Sequence, residues 1–528
     1  MRRFNVTGLC VPEEDYMVDI SGKIEQIKKL VDDRSYFTIN RARQYGKTTV
    51  LAGLERALQD EYLVISISFE GLDHESFESP KNFCQVFLKL ARKALMFTTA
   101  PTEYRESWLD NNVSSFQDLS EHIAKMCKLG EQDWNHKVVL MIDEIDKTSN
   151  NRVFLNFLGM LRNKFLARKN RKDHTFHSVI LAGVYDIKNI KLKIAGEETH
   201  STTTVEGKMY NSPWNIAADF DIDMSFCPAE IATMLVEYES DNNTGMDIPA
   251  IADEIFSFTS GYPFLVSRIC QRIDQAHHKK WTPHGVRDAV QIIMNEENTL
   301  FDDMSKNLEN NRDLYKYLYN LLFLGMESGF NYDNPVIKLG FMYGYLKKSD
   351  NNRAVVANKI FDIRMHDYFL SKNTTSKMLS TGVLQHDVVK DGRFDMALCL
   401  RKFATHFAEV WSDRDAEFIE REGRLLFLSY LKPLINGHGF YHIESQFPDF
   451  RRMDLVVDFG REQFIVELKL WRGEVAHEKA YEQLLGYMEK KGTKEGYLLT
   501  FDFRKDVRKK PYSKWVEFED KTIFDVVV

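Results

Sequence analysis

Four short apolar runs within the first 183 residues restrict the fold more than any other feature of the chain. They are YFTIN (36–40), YLVISISF (62–69), KVVLMID (137–143) and HSVILAG (177–183). Each is continuous rather than alternating and partly β-branched, the pattern of a strand covered on both faces. Stretches with helical periodicity lie between them, TVLAGLERALQDE among them. Strands separated by helices run parallel, and covering both faces of the sheet uses those helices. The expectation up to about residue 228 is therefore an α/β domain built on a parallel sheet.

The first run continues into FTINRARQYGKTT (37–49), whose end, Gly46-Lys47-Thr48-Thr49, is how a phosphate-binding loop closes. Such a loop needs a strand to deliver it, converging backbone N–H groups and a helix N-terminus aimed at the anion. Gly46 permits close backbone approach, Lys47 can reach β and γ oxygens, and Thr48, where the helix begins, can ligate magnesium. Arg41 stands where the pattern G-x-x-x-x-G-K-[ST] has its first glycine, so a different loop shape is expected. The third run ends in Asp143-Glu144. Adjacent carboxylates closing an apolar strand are costly without a cation nearby. Asp143 fits a magnesium shell and Glu144 the polarisation of an attacking water. Either motif alone has a bland explanation, a helix start with Lys and Thr or an ordinary acidic strand end. Both, in this order on expected strands, point to ATP with Mg2+.

NRARQYGKTT, with arginines leading into the loop, resembles the AAA-like, STAND-related P-loop ATPases of bacteria and archaea. FTSGYPFLVSRI (258–269) resembles that group's G-x-P element, here Gly261 and Pro263. The resemblance spans about residues 14–372 and implies a P-loop ATPase core (1–228), a helical lid (229–300) in which Gly261 and Pro263 sense nucleotide, and a winged-helix-like module (301–372). Apolar helix periodicity followed by GYLKKSDNNRAVVANKIF supports the last, with two β-type arms around Asp350-Asn351-Asn352. Val184-Tyr185-Asp186 is a candidate sensor and Arg162 a candidate trans-acting arginine, each against the plainer reading of a strand-end loop and a surface arginine. Residues 197–212 read as a polar loop and 373–404 as a connector.

A second α/β pattern begins near residue 405 and runs to 528. In RRMDLVVDFGREQFIVELKLW (451–471), LVVDF and QFIVELKL read as strands around Gly460-Arg461. A two-residue turn there pairs Phe459 with Glu462 and puts Asp454 opposite Glu467. Lys469, two residues on, shares the face of Glu467. Two acids and a lysine on one patch can hold a divalent ion that activates water against a phosphodiester; oxygen ligands suit Mg2+ or Mn2+. A cross-strand ion pair on a solvated face is the simpler alternative. The interleaved Val466, Leu468 and Leu470 argue for a strand covered on one side and active on the other, and Gln483 and Tyr487 form Q-x-x-x-Y on the next helix. The series resembles the PD-(D/E)XK nuclease superfamily, its Q-x-x-x-Y branch in particular, a restriction-endonuclease-like α/β fold. The resemblance implies Asp454 and Glu467 as metal ligands, Lys469 as catalytic, Gln483 and Tyr487 as support, and an acid on the preceding helix, Glu422 first, with Glu417 and Glu420 as alternatives. Met453 stands where that pattern has proline.

The charge of −8 argues against a chain that coats nucleic acid throughout, but leaves room for local basic grooves. Clusters at 161–172 and 504–514 hold six Lys/Arg each, and either can equally be a solvated helix end or tail. None of the six cysteines forms a metal spacing, the start of the chain lacks a signal-peptide core, and no run approaches the roughly 20 apolar residues of a membrane helix. The reading is a cytoplasmic α/β multidomain ATPase controlling a metal-dependent nuclease. Its partner is nucleic acid, DNA first, with no membrane; a homo-oligomer is admitted. Such a pairing points toward defence or the handling of mobile elements. The alternative is a nucleotide-switched scaffold whose nuclease-like domain binds without cutting.

Overall fold

The computed structural model describes residues 2–133, 135–148, 151–184, 214–276, 279–324, 328–373, 385–390, 392–410, 420–435, 439–445, 453–460, 462–502 and 512–528. The chain divides into two compact units: Met1–Ala252 with Gly261–Gln271 and Met342–Gly344, and Asp253–Ser260 with Arg272–Phe341 and Tyr345–Val528.

In the first unit the four apolar runs form strands β1 (Tyr36–Asn40), β2 (Tyr62–Ser68), β3 (Lys137–Asp143) and β4 (Ser178–Gly183). They pair in the order β1-β4-β3-β2, all parallel. Side chains alternate between two cores. Tyr36, Leu63, Ile65, Leu140, Ile142, Val179 and Leu181 pack with the helices Pro80–Leu95, Phe116–Asp133 and Arg152–Lys169. Phe37, Ile39, Val64, Val139, Met141, Ile180 and Ala182 pack with α1 (Ser21–Asp32) and α2 (Lys47–Leu58). Two cores on one sheet explain why the strands read as unbroken apolar runs: both faces are dry. Fully burying one such side chain contributes about 1.5–3 kcal/mol. Because the strands are parallel, the chain leaves β1 and β3 at the same end of the sheet. Both flank β4 there, Asn40 paired with Gly183 and Ile142 with Leu181.

In the second unit, β5 (Leu346–Lys348) and β6 (Ala354–Val356) form the hairpin expected around Asp350-Asn351-Asn352, with Asn352 in the left-handed region at φ 58°. A short ladder joins β7 (Val389–Lys390) to β8 (Arg393–Phe394). The remaining strands are β9 (Gly439–Ser445), β10 (Met453–Phe459), β11 (Glu462–Leu470), β12 (Glu495–Phe501), β13 (Tyr512–Phe518) and β14 (Lys521–Val527). They make a six-stranded mixed sheet, ordered β13-β14-β12-β11-β10-β9. β9, β10 and β11 are antiparallel, β12 and β14 continue parallel to β11, and β13 is antiparallel to β14.

One face of this sheet is covered by the helix Glu474–Lys491, whose Ala480, Leu484, Tyr487 and Met488 pack on Val456, Ile465, Leu498 and Ile523. The opposite face carries Phe501, which meets Phe403 and Phe407 of the helix Met396–Val410 and lies against Gly423 of the helix Glu420–Ile435. The expectation of a strand covered on one side only is therefore corrected. β11 has helices over both faces, because the apolar side of Glu474–Lys491 lies over the face that bears its charged residues.

Candidate functional site

The loop after β1 is braced where the usual pattern has glycine. The Arg41 N–H donates to the Gly183 carbonyl at 3.2 Å. Its guanidinium donates to the carbonyls of Asn40 (2.9 Å) and Ile222 (2.7 Å) and lies 5.4 Å from the centre of the Phe220 ring. A glycine would leave that turn loose; here the side chain ties it to residues 220–222. Further along, Gln44 (φ 57°) and Gly46 (φ 74°) are left-handed, the second at the N-cap of α2. No side chain caps α2, so its leading N–H groups face the loop, as an anion site requires.

Lys47 is buried, and its ammonium folds back to donate to the carbonyls of Arg41 (3.1 Å) and Ala42 (2.9 Å). Burial pushes its pKa down, and the carboxylates of Asp146, Glu144 and Asp143 oppose that shift. The Thr48 hydroxyl donates to Asp143 Oδ2 at 2.8 Å, so the loop and the end of β3 meet through those two side chains. Asp143 Oδ1 accepts the Glu144 N–H at 2.9 Å, with Glu144 in the left-handed region at φ 56°. Burial first, and the neighbouring Asp143 second, raise the Glu144 carboxyl above the usual range. Thr49 Oγ1 accepts the backbone N–H of Cys10 at 3.3 Å.

Gly261 (φ 73°) lies against the backbone of Phe226 and accepts its N–H at 2.9 Å; a Cβ here would sit 2.0 Å from the Phe226 oxygen. Pro263 comes within 3.9 Å of where a Cβ on Gly46 would point. Between them the Tyr262 hydroxyl donates to the Arg43 carbonyl at 2.5 Å, and its ring meets that of Tyr45 edge-on at 4.6 Å. The G-x-P element thus braces the loop. Beside it lies a cleft lined by Cys10, Tyr16, Tyr45, Thr49, Met224 and Phe264, apolar for the most part.

Sequence reasoning missed Asp146. Both its oxygens lie 2.8 Å from the Val184 N–H, which joins the turn after β3 to the end of β4. It is also the carboxylate that acts most strongly on Lys47. The signal was present as the third acid of DEID, together with Gly183, where a Cβ would meet Asp146 Oδ1 at 2.8 Å. Tyr185, Asp186, residues 197–212 and most of the second basic cluster lie outside the described residues. Arg162 is half-buried on the helix Arg152–Lys169. In the first basic cluster two of the cations point inward. Lys164 is buried and donates to Asp173 Oδ2 and the Ser120 carbonyl, both at 2.8 Å. Arg168 donates to the carbonyls of Phe176 (2.6 Å) and His177 (2.7 Å).

In the second unit the register pairs Phe459 with Glu462 and Asp454 with Glu467. Glu467, only 2% exposed, is ion-paired with Lys469, which is 19% exposed. Gln483 is half-buried and Tyr487 buried on the covering helix. Glu422 belongs to the helix Glu420–Ile435, whose Gly423 lies against Phe501; its side chain and that of Asp454 lie outside the described residues, as does Glu417. Among the described residues no group of three or more His, Cys, Asp or Glu stands ready to hold a metal, and no helix is long and apolar enough to cross a membrane.

A parallel sheet with a Gly-Lys-Thr loop leaving one strand and an acid pair ending another defines the ATPase class of P-loop folds. The AAA-like domain family matches residues 16–318, more than half of the chain, and the protein belongs to that family. No curated protein matches the chain. A Walker-type ATPase of Pyrococcus abyssi resembles it at 11% identity and a TM-score of 0.47, over 69% of this chain and 99% of that one. The Aeropyrum pernix ORC2 protein, in ADPNP–ADP complexes, aligns at 11% identity and a TM-score of 0.34, over 66% and 94%. Its ADP form aligns at 10% and 0.36, over 70% and 98%.

Proposed function

We propose that the first unit binds ATP with magnesium and hydrolyses it, and that this cycle controls a nuclease site in the second unit. The observation that carries the ATPase reading is the Thr48–Asp143 contact at 2.8 Å, which joins the loop to the acid strand. Both groups offer oxygen, the donor that Mg2+ takes, and they would hold the ion; bound there, it would offset phosphate charge. The open start of α2 receives the phosphates, and Lys47 turns from the Arg41 and Ala42 carbonyls to meet them. Glu144, its pKa raised by burial, suits the orientation and deprotonation of a water. The apolar cleft between Cys10 and Phe264 takes the base, and Pro263 beside Gly46 reports occupancy to the lid.

The nuclease reading is favoured by the Asp454–Glu467 pairing with Lys469 on Glu467. In it, residues 229–300 are the lid, 301–372 a winged-helix-like module, 373–404 a connector and 405–528 a PD-(D/E)XK-like domain. Asp454 and Glu467 would hold Mg2+ or Mn2+, with nucleic acid, DNA first, as substrate and the cytoplasm as the compartment. Purified protein is assayed for ATP turnover, and for cleavage of DNA and RNA with Mn2+, with and without ATP. Lys47→Ala removes ATP turnover, while Lys469→Ala removes cleavage and spares turnover. Turnover that survives Lys47→Ala defeats the first half. Turnover without cleavage, together with an inert Lys469→Ala, leaves the nucleotide-switched scaffold.

A further inference from the structure

The face of the second sheet that lies under the helix Glu474–Lys491 carries a polar cluster beside the acid–lysine pair. His477 and Tyr481, one turn apart on the helix Glu474–Lys491, both reach Asp525 on β14. The Tyr481 hydroxyl donates to Asp525 Oδ2 at 2.6 Å, and His477 Nε2 lies 3.0 Å from the same oxygen. Asp525 is fully buried and the His477 side chain is 9% exposed. Nε2 also lies 3.1 Å from the Tyr481 hydroxyl, so the ring is held at that nitrogen by two groups. That fixes the ring and turns Nδ1 to Thr500 Oγ1, 3.4 Å away on β12.

The register then decides what lies next. Leu498 pairs with Glu467 on one side and with Asp525 on the other, and Thr500 pairs with Lys469. Directly paired residues project to the same face. Glu467, Lys469, Thr500 and Asp525 therefore share one face, and Thr500 stands between His477 and Lys469. The Trp471 ring, just past β11, lies 4.9 Å from the His477 ring and closes that side.

We propose that His477 is a positioning residue of the Glu467–Lys469 site: anchored by Asp525 and Tyr481, it holds Thr500, and through Thr500 the strand segment that carries Lys469. The proposal rests on the reading of Glu467 and Lys469 as a hydrolytic pair. Groups that orient the members of such a site without touching substrate are worth about 10–100-fold in activity.

The test uses the full chain with two readouts: Mn2+-dependent cleavage, and the rate at which acetic anhydride acylates Lys469, followed by peptide mass spectrometry. His477→Ala lowers kcat by about 10–100-fold, leaves KM within about threefold, and raises Lys469 acylation severalfold. A Gln side-chain amide, which can both donate and accept, can bond Asp525 where Nε2 stood, so His477→Gln regains most of the rate. Thr500→Val, isosteric and without the hydroxyl, reproduces His477→Ala if that variant fails to fold. Cleavage within twofold of wild type and unchanged acylation in both variants overturn the proposal. Wild-type protein that cuts nothing defeats the hydrolytic reading instead. Acylation alone then decides: faster in Thr500→Val, the juxtaposition stands; unchanged, it is overturned.

Discussion

Gly46 and Gly261 both lie in the left-handed region, at φ 74° and 73°, yet one added methyl group should affect stability and nucleotide affinity differently at the two positions. Around Gly46 there is room: the nearest atom to a new Cβ is that of Pro263, 3.9 Å away. Ala at 46 thus meets only the left-handed penalty, about 1–2 kcal/mol. At Gly261 the new Cβ lies 2.0 Å from the Phe226 oxygen and 2.6 Å from its nitrogen, both backbone atoms that no rotamer can move. To the same penalty are added a backbone displacement of about 1–3 kcal/mol and the loss of the Phe226–Gly261 hydrogen bond, about 0.5–1.5 kcal/mol. Together these come to about 2.5–6.5 kcal/mol. At about 2–4 °C per kcal/mol for a domain of this size, scanning fluorimetry should read about 2–8 °C lost for Gly46→Ala and about 5–26 °C for Gly261→Ala. Nucleotide affinity should reverse the order. On the proposed reading, a methyl at 46 occupies the close approach of backbone to phosphate and should weaken ADP binding at least about tenfold, or 1.4 kcal/mol. Folded Gly261→Ala, titrated in the cold, should stay within about threefold of wild type. Equal melting losses, or affinity kept in Gly46→Ala and lost in Gly261→Ala, would refute the assignment of Gly46 to the ligand and Gly261 to the frame.

Glu144→Gln should raise the melting temperature above pH 7. The folded protein holds the Glu144 proton more tightly than the unfolded chain, so its carboxylate form disfavours folding, and the gain should shrink as pH falls through the raised pKa; a gain that grows in acid contradicts this. Cys10 lines the cleft proposed for the base, and burial raises its thiol pKa, so its alkylation near pH 9 should slow at least fivefold with saturating ADP while exposed Cys227 is unaffected, as peptide mapping would show. Lys164→Ala leaves the Asp173 carboxylate and the Ser120 carbonyl without their donor, and should cost about 2–4 kcal/mol in a denaturant melt without changing the salt dependence of nucleic-acid binding. A salt slope reduced by about one in that variant would instead place Lys164 on a phosphate.

The two sites were legible to different depths. The four strands of the first sheet and the Asp454–Glu467 register could be counted from the chain, since dry parallel strands are continuously apolar and a two-residue turn fixes an antiparallel ladder. The meeting of Thr48 with Asp143 was legible because parallel strands release a loop and an acid at the same edge of the sheet. Asp146 was not, because its role depends on β4 lying beside β3, a neighbour chosen by sheet order and not by spacing along the chain. Gln483 and Tyr487 could be placed on a helix by their spacing, but not the lid that this helix forms over Glu467.

Local pattern alone determined the strand positions, the acid pair and the register of β10 on β11, because each depends on residues within one or two turns of chain. Tertiary structure decided the rest: that Arg41 braces a loop without its first glycine by reaching residues 220–222, that Pro263 comes to rest beside Gly46, and that Asp525 meets His477. Each of these joins positions 48 to 217 residues apart, and such contacts follow from how elements stack, which no short-range pattern encodes.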